Sequence, residues 1–180
     1  AGLRIPYMIL ADQRYDDRML FENAYDLLSG VWLGSYDAYA LAKGIGYPMF
    51  LVLAKKLCLP YSVLLALLQA VGAWLFVRAL SVRWKNPYRQ TLLYLLLLFS
   101  PISLTQLVTQ RLYRMAIVPG MVLVVFSGMI GLTLRKELPL KKQLPWAVLT
   151  GMALAFFWQI REDSVWILPF IAVMTVWNVG

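Results

Sequence analysis

Twenty consecutive residues, Tyr61–Leu80, carry no charge until Arg78, and a second run, 115–134, carries none at all. At ~1.5 Å of rise per residue, each is long enough to cross a bilayer core ~30 Å thick as a helix. Hydrocarbon offers the backbone no water, so such a run has to satisfy its own hydrogen bonds, and an apolar run of this length does so as a helix. Three further runs, 91–108, 145–160 and 164–180, come close, and Ser100-Pro101 is expected to kink the first of them rather than end it. The chain is 61% hydrophobic with a mean hydropathy of +0.68, more apolar surface than a soluble domain of 180 residues can hide. The expected fold is all-α: a polytopic membrane helical bundle of about five spans (61–80, 91–108, 115–134, 145–160 and 164–180), preceded by a loop, 1–60, with two interfacial helices. A start at Ala1 and an end inside an apolar run suggest a fragment of a larger protein, and nothing near Ala1 resembles a signal peptide.

Charge gives the bundle a side. The connections at 78–89 and 135–142 hold Arg78, Arg83, Lys85, Arg89, Arg135, Lys136, Lys141 and Lys142 against Glu137 alone, a net of +7. Short basic connections stay in the cytoplasm, which turns residues 1–47 and the turns near 111 and 162 outward. That outer face carries eight of the nine carboxylates against seven bases, a net of −1. The basic pI of about 9.7 is therefore a topology signal, and nucleic acid is not an expected partner.

The chain has no His and one Cys, which excludes from this segment a Ser-His-Asp triad, a Cys-His pair, a His-ligated zinc and an internal disulfide. No P-loop and no GxGxxG is present. Carboxylate, Arg, Lys and Tyr chemistry remains.

Four outer segments carry it. Asp16-Asp17 precede a helical pattern at 18–28, where Met19, Leu20, Ala24, Leu27 and Leu28 share a face and Glu22, Asn23 and Asp26 fall largely on another. One Asp suffices as an N-cap, worth about 1 kcal/mol. Its neighbour is surplus to capping, and a close acidic pair tends to raise one pKa, which suits a general base or a ligand for a divalent cation such as Mg or Mn. The second segment, Lys43-Gly44-Ile45-Gly46-Tyr47-Pro48, describes a tight turn into a short interfacial helix at 49–59 that snorkels Lys55 and Lys56. Lys43 and Tyr47 are its candidate substrate contacts, and an aromatic-anchored interfacial loop is the plainer account. In the third, Arg111 and Arg114 stand on the side that disfavours them, which suits either phosphate recognition or pairing with outer carboxylates. The fourth, Arg161-Glu162-Asp163, is either a solvated hairpin or a further part of the same site.

The order of these motifs resembles that of bacterial members of the GT-C superfamily: an acidic pair, Trp-Leu-Gly-Ser-Tyr at 32–36, Lys-Gly-Ile-Gly-Tyr-Pro leading into Met-Phe-Leu, an outer Tyr-Arg and an outer Arg-Glu-Asp. These are polytopic glycosyltransferases that use a polyprenyl-phosphate sugar as donor. The resemblance implies a transferase of the bacterial plasma membrane with its active site on the outer face and an essential carboxylate near the start of the first outer loop, here Asp16 or Asp17. It also implies that Arg111, Arg114, Arg161 and Lys43 receive the lipid phosphate. The spanning helix that such enzymes place before the acidic loop is absent, as is everything after Gly180. Trp32, Tyr36 and Tyr39 could line a groove for lipid or stack on a sugar. A lipid or polysaccharide transporter, and a non-catalytic membrane scaffold, are the other classes open to such a chain; the first would place ionisable groups deep within its spans, where 61–77, 91–108 and 115–134 have none.

Overall fold

A computed structural model of the chain describes residues 17–32, 43–104, 112–161 and 164–179. Among these residues it is all-helical, with seven α-helices: α1 (Asp17–Leu28), α2 (Gly46–Lys56), α3 (Tyr61–Leu80), α4 (Pro87–Leu98), α5 (Val118–Thr133), α6 (Leu140–Ile160) and α7 (Leu168–Val179). Short 3-10 turns stand at Pro101–Leu104, Arg114–Ala116 and Ser164–Ile167. By length and composition α3 is the one candidate membrane span among the described residues; Val118–Thr133 and Ser164–Trp177 are apolar but shorter.

The uncharged run at 115–134 becomes the central helix. α5 lies between α3 and α6 and buries Met121, Val124, Val125, Ser127 and Met129. Small residues let the backbones approach. A Cβ added to Gly72 of α3 would lie 2.9 Å from the Gly120 carbonyl oxygen, and one added to Gly128 would lie 2.9 Å from Cα of Thr150 in α6. Residues 68, 72 and 79 of α3 meet 120, 123 and 135 in that order, so α3 and α5 run parallel. Residues 128 and 131 of α5 meet 150 and 146, so α6 runs back. The two ends of the bundle then differ. Residues 43–47, Tyr61, Ile117 and Ile160 mark the upper end; Arg78, Arg135 and Trp146 mark the lower.

Arg135 closes the lower end. Its Nη1 donates to the carbonyls of Ala79 and Gly131, both at 3.1 Å, its Nη2 to that of Arg78 at 2.9 Å, and the guanidinium sits 4.4 Å from the centroid of Trp146. Helix C-termini leave their last carbonyls without intrahelical donors, and one planar fork serves those of α3 together with a carbonyl of α5. Burial, and after it the charge of Arg78, holds the Arg135 pKa below the ordinary guanidinium value; it remains charged at any physiological pH.

The helix limits depart from the hydropathy pattern in four places, each for a local reason. α4 starts at Pro87, ahead of the apolar run, because the Asn86 side chain accepts from the backbone N–H of Tyr88 (2.9 Å) and Arg89 (3.4 Å), with Pro87 in the first position. It ends at Leu98 instead of bending through Ser100-Pro101: the chain passes into the 3-10 turn Pro101–Leu104, and residues 105–111 lie outside the described set. α6 starts at Leu140 and carries Pro145 inside it. The hydrogen bond that proline forfeits is to the carbonyl of exposed Lys141, which water can reach. At 164–167 the expected last span opens as a 3-10 turn before α7.

The end of α4 meets α3 partway along its length. Gln69, 7% exposed, donates its Nε2 to the Leu97 carbonyl at 2.7 Å, and it lies eight residues into α3, roughly 12 Å below the upper end at ~1.5 Å per residue. The Leu97 carbonyl, one of the last four of α4, takes the Gln69 amide beside a longer bond from the Ser100 backbone N–H (3.4 Å). Gln69→Leu should therefore destabilise the protein by about 1–2 kcal/mol. Its thermal midpoint in detergent is the check, with Gln90→Leu as the comparison, since the Gln90 bond to the Trp84 carbonyl (2.6 Å) is exposed.

Candidate functional site

α1 and α2 cap the upper end. Leu20, Asn23 and Ala24 form the buried face of α1, so Asn23 belongs to the packed side and not, as the polarity pattern suggests, to the solvated one. α2 begins at Gly46, three residues before its expected start: Gly46, Tyr47 and Pro48 form its first turn, where a proline lacks no needed donor. It ends at Lys56, and the chain turns through Cys58 at φ +54° toward Pro60 and α3.

Tyr47 is 1% exposed, and its ring is core rather than groove wall. Its hydroxyl lies 2.9 Å from that of Tyr61, with the rings edge-on at 6.5 Å, and Phe50 packs edge-on against Tyr61 at 6.1 Å. This aromatic set fastens α2 to the head of α3. Opposite it, the turn at 43–46 presses on the end of α6. A Cβ on Gly44 would overlap the carbonyl oxygen of Gln159, and one on Gly46 would lie 2.9 Å from both the Gln159 carbonyl carbon and Cγ1 of Ile160.

That seam places Lys43 and Arg161 on the same edge, because Lys43 precedes Gly44 and Arg161 follows Ile160. The Ser164 hydroxyl, fully buried, donates to the Arg161 carbonyl at 2.8 Å and holds the chain's reversal after α6. Arg114 enters from the 3-10 turn at the head of α5, three residues before Ile117, which shares one core with Leu20, Tyr47, Phe50 and Ile160. Lys43, Arg114 and Arg161 are each half-buried, and each has interaction partners. Asp17 opens α1 three residues before Leu20.

Asp16, Arg111, Glu162 and Asp163 lie outside the described residues, as do Tyr36 and Tyr39. Trp32 is described and 68% exposed. Among the described residues no three His, Cys, Asp or Glu side chains come together as a metal-ion group. The structure thus gathers Lys43, Arg114 and Arg161 at the end of the bundle where Asp17 begins α1. The pattern of charges did not reveal Tyr61 or Gln69. Tyr61 looks from sequence like the first residue of a span, and only its approach to Tyr47 gives it a part in the site. Compared with protein-family models, curated proteins and solved structures, the chain matches none.

Proposed function

We propose that the chain is the membrane core of a glycosyltransferase that moves a sugar from a polyprenyl-phosphate donor to an acceptor hydroxyl at the outer membrane face. The observation that carries this reading is the glycine seam, which holds the turn after Lys43 against the last residues of α6, just before Arg161. The seam brings together backbone next to cations more than a hundred residues apart in sequence, at the end of the bundle that α1 and α2 cap, and a leaving phosphate needs cations where its charge develops.

The membrane placement rests on exposed apolar surface. Leu67, Val71 and Trp74 of α3, Leu92 and Leu96 of α4 and Met152 of α6 are 47–69% exposed, on faces that water would not tolerate in such number. With α3, α5, α6 and α7 embedded and the basic connections at the lower end inside, the upper end faces out.

The transfer divides among this chain's own groups. Asp16 or Asp17 takes the proton of the acceptor hydroxyl, whose oxygen then bonds to the anomeric carbon. The bond from that carbon to the phosphate oxygen breaks, and the polyprenyl phosphate leaves with the electron pair. Lys43, Arg111, Arg114 and Arg161 meet the charge that grows on the phosphate, an interaction stronger in the transition state than in the ground state. Tyr47 keeps α2 seated, and Glu162 and Asp163, which follow Arg161 in the sequence, are assigned to substrate hydroxyls. Asp16 and Asp17 would be the ligands of a divalent cation such as Mg or Mn, which would supply positive charge for the leaving phosphate.

Asp16→Asn and Asp17→Asn in the full-length protein, assayed in vesicles with polyprenyl-phosphate sugar, form the test. One of them should lower transfer by about 10²–10⁴-fold while expression and thermal midpoint hold. Unchanged transfer in both would sink the mechanism, and inhibition by EDTA restored by Mg or Mn would assign the carboxylates to a metal. The short α4, with its Leu97 carbonyl on Gln69 of α3, favours a second reading as a lipid or polysaccharide transporter. Movement of lipid-linked sugar across vesicles without transfer would select it.

A further inference from the structure

The cations of the upper end answer a donor phosphate; most of those at the lower end answer nothing in the chain. Arg135 is buried on its carbonyls, and Lys136 donates to that of Trp177. Six others, Arg78, Arg83, Lys85, Arg89, Lys141 and Lys142, are exposed, and among the described residues their side chains form no hydrogen bond or ion pair. One carboxylate, exposed Glu137, stands in the same two connections. Sidedness asks only for a number of bases in a loop, yet both of these connections are built. Asn86 caps α4, and the Gln90 amide donates to the Trp84 carbonyl at 2.6 Å. The Gln143 amide donates to the carbonyls of Lys136 (2.9 Å) and Leu138 (2.6 Å). Arg135, where the second connection begins, ties it to the carbonyls of Arg78 and Ala79, where the first begins.

We propose that the lower end is a docking surface for the phosphate headgroups of anionic phospholipids in the inner leaflet. The proposal rests on the membrane placement of the bundle and not on sugar transfer. Each group of cations has apolar company: Trp84 (42% exposed) stands between Arg83 and Lys85, Tyr88 (85%) precedes Arg89, and Leu140 (80%) precedes Lys141. Side chains of that kind take the depth where headgroups meet acyl chains, and Lys and Arg beside them reach phosphate there. A soluble polyanion would meet the charges and leave those apolar surfaces in water. The helices themselves favour the same ligand. Neither α4 nor α6 has an acid in its first turn to answer the positive end of the helix dipole; Arg89 stands in the first turn of α4, and Lys141 and Lys142 in that of α6. An anion from outside the chain relieves both the dipole and the crowding of like charge. Hydrogen bonds hold the two connections in advance, so little ordering is lost when it binds.

The test uses the full chain in nanodiscs of phosphatidylcholine with a minor share of phosphatidylglycerol, and native mass spectrometry counts the lipids that stay bound when the protein is released. Phosphatidylglycerol should exceed its share of the supply by about ten-fold. Arg83→Gln/Lys85→Gln and Lys141→Gln/Lys142→Gln should each cut that excess by about three-fold or more. Their thermal midpoints in pure phosphatidylcholine should hold, because these exposed side chains tie nothing together in the fold. Lys55→Gln/Lys56→Gln removes the same charge from exposed positions of α2 and should leave the excess in place. Inorganic phosphate, set against chloride of equal ionic strength, should not displace the lipid; displacement would make free phosphate the ligand and overturn the docking of headgroups. No excess of phosphatidylglycerol, or an equal fall in Lys55→Gln/Lys56→Gln, would also overturn it. Protein that holds phosphatidylglycerol through the lower end yet transfers no sugar keeps this surface and loses the transferase reading. Protein that cannot enter phosphatidylcholine nanodiscs loses the membrane placement, and this proposal with it.

Discussion

Arg135→Met is expected to destabilise the protein by about 3 kcal/mol, the largest loss for any single side chain at the lower end. Arg135 is 9% exposed and donates to the carbonyls of Arg78, Ala79 and Gly131. A hydrogen bond from a charged donor contributes about 1.5–3 kcal/mol. Three together give less than their sum, because helix-end carbonyls recover some solvation, and Ser81 also donates to the Arg78 carbonyl at 2.8 Å. The stacking on Trp146 adds roughly 1 kcal/mol. Methionine fills the volume but leaves the carbonyls unanswered. Arg135→Lys retains the charge and one donor direction yet cannot fork to two helices, so it should recover less than half of the loss. Lys136→Ala, one residue on, removes an exposed bond to the Trp177 carbonyl (3.2 Å) and should stay within about 0.5 kcal/mol. Equilibrium unfolding of the three variants in mixed micelles supplies the comparison; equal midpoints for Arg135→Met and Lys136→Ala would show that Arg135 is ornamental to the packing.

Arg135 also marks what hydropathy can and cannot disclose. α3 was legible because seventeen uncharged residues precede Arg78, and a run of that length has no alternative to a helix. The basic count at 78–89 and 135–142 was legible too, but a count treats Arg135 and Lys136 alike. One is buried across three helices and the other is exposed, a difference set by the register of α5 against α3. The limits of α4 were partly written in Asn86-Pro87, a capping pair that outweighs the apolar run beginning at Thr91. Its end was not: the chain passes from Leu98 into a 3-10 turn, and the side chain that meets the Leu97 carbonyl is Gln69, twenty-eight residues away. In α1, Asn23 is polar by composition and buried by packing, since the stripe that touches α2 takes in Leu20, Asn23 and Ala24 while Phe21 and Tyr25 look outward. Of the candidate site, the sequence singled out Lys43, Arg114 and Arg161 by charge and sidedness, and the structure supplied the seam that sets the turn after Lys43 against the end of α6. The tie between Tyr47 and Tyr61 followed from no pattern, because neither residue's spacing announces a partner.

Gly44→Val is expected to lower any activity of the upper end by about a hundred-fold. Glycine in Lys43-Gly44-Ile45-Gly46 invites an explanation from backbone freedom, yet the close approach to α6 is the sufficient reason. A Cβ at Gly44 overlaps the Gln159 carbonyl oxygen and lies 2.8 Å from its carbon and 3.2 Å from its Cα. All three contacts are backbone, so no rotamer can give way; the turn has to leave α6, and α2, which carries α1, moves with it. Overpacking of this kind costs about 1–3 kcal/mol, which a bundle can survive. Function is less tolerant, because displacement of a catalytic group by about 1 Å can cost 10²-fold. The backbone that carries Lys43 would move away from the end of α6 that Arg161 follows, and α1 would shift with α2. Gly151→Ala is the control: nothing lies within 4 Å of its added Cβ on the exposed side of α6, and an alanine in a helix interior stabilises by up to about 1 kcal/mol over glycine. A transfer or transport assay on both variants, paired with thermal midpoints, separates the two effects. Activity that falls only in proportion to lost folded protein would mean that the seam holds the fold and not the site; activity that falls far more steeply in Gly44→Val alone would place the functional chemistry along the edge that joins Lys43 to Arg161.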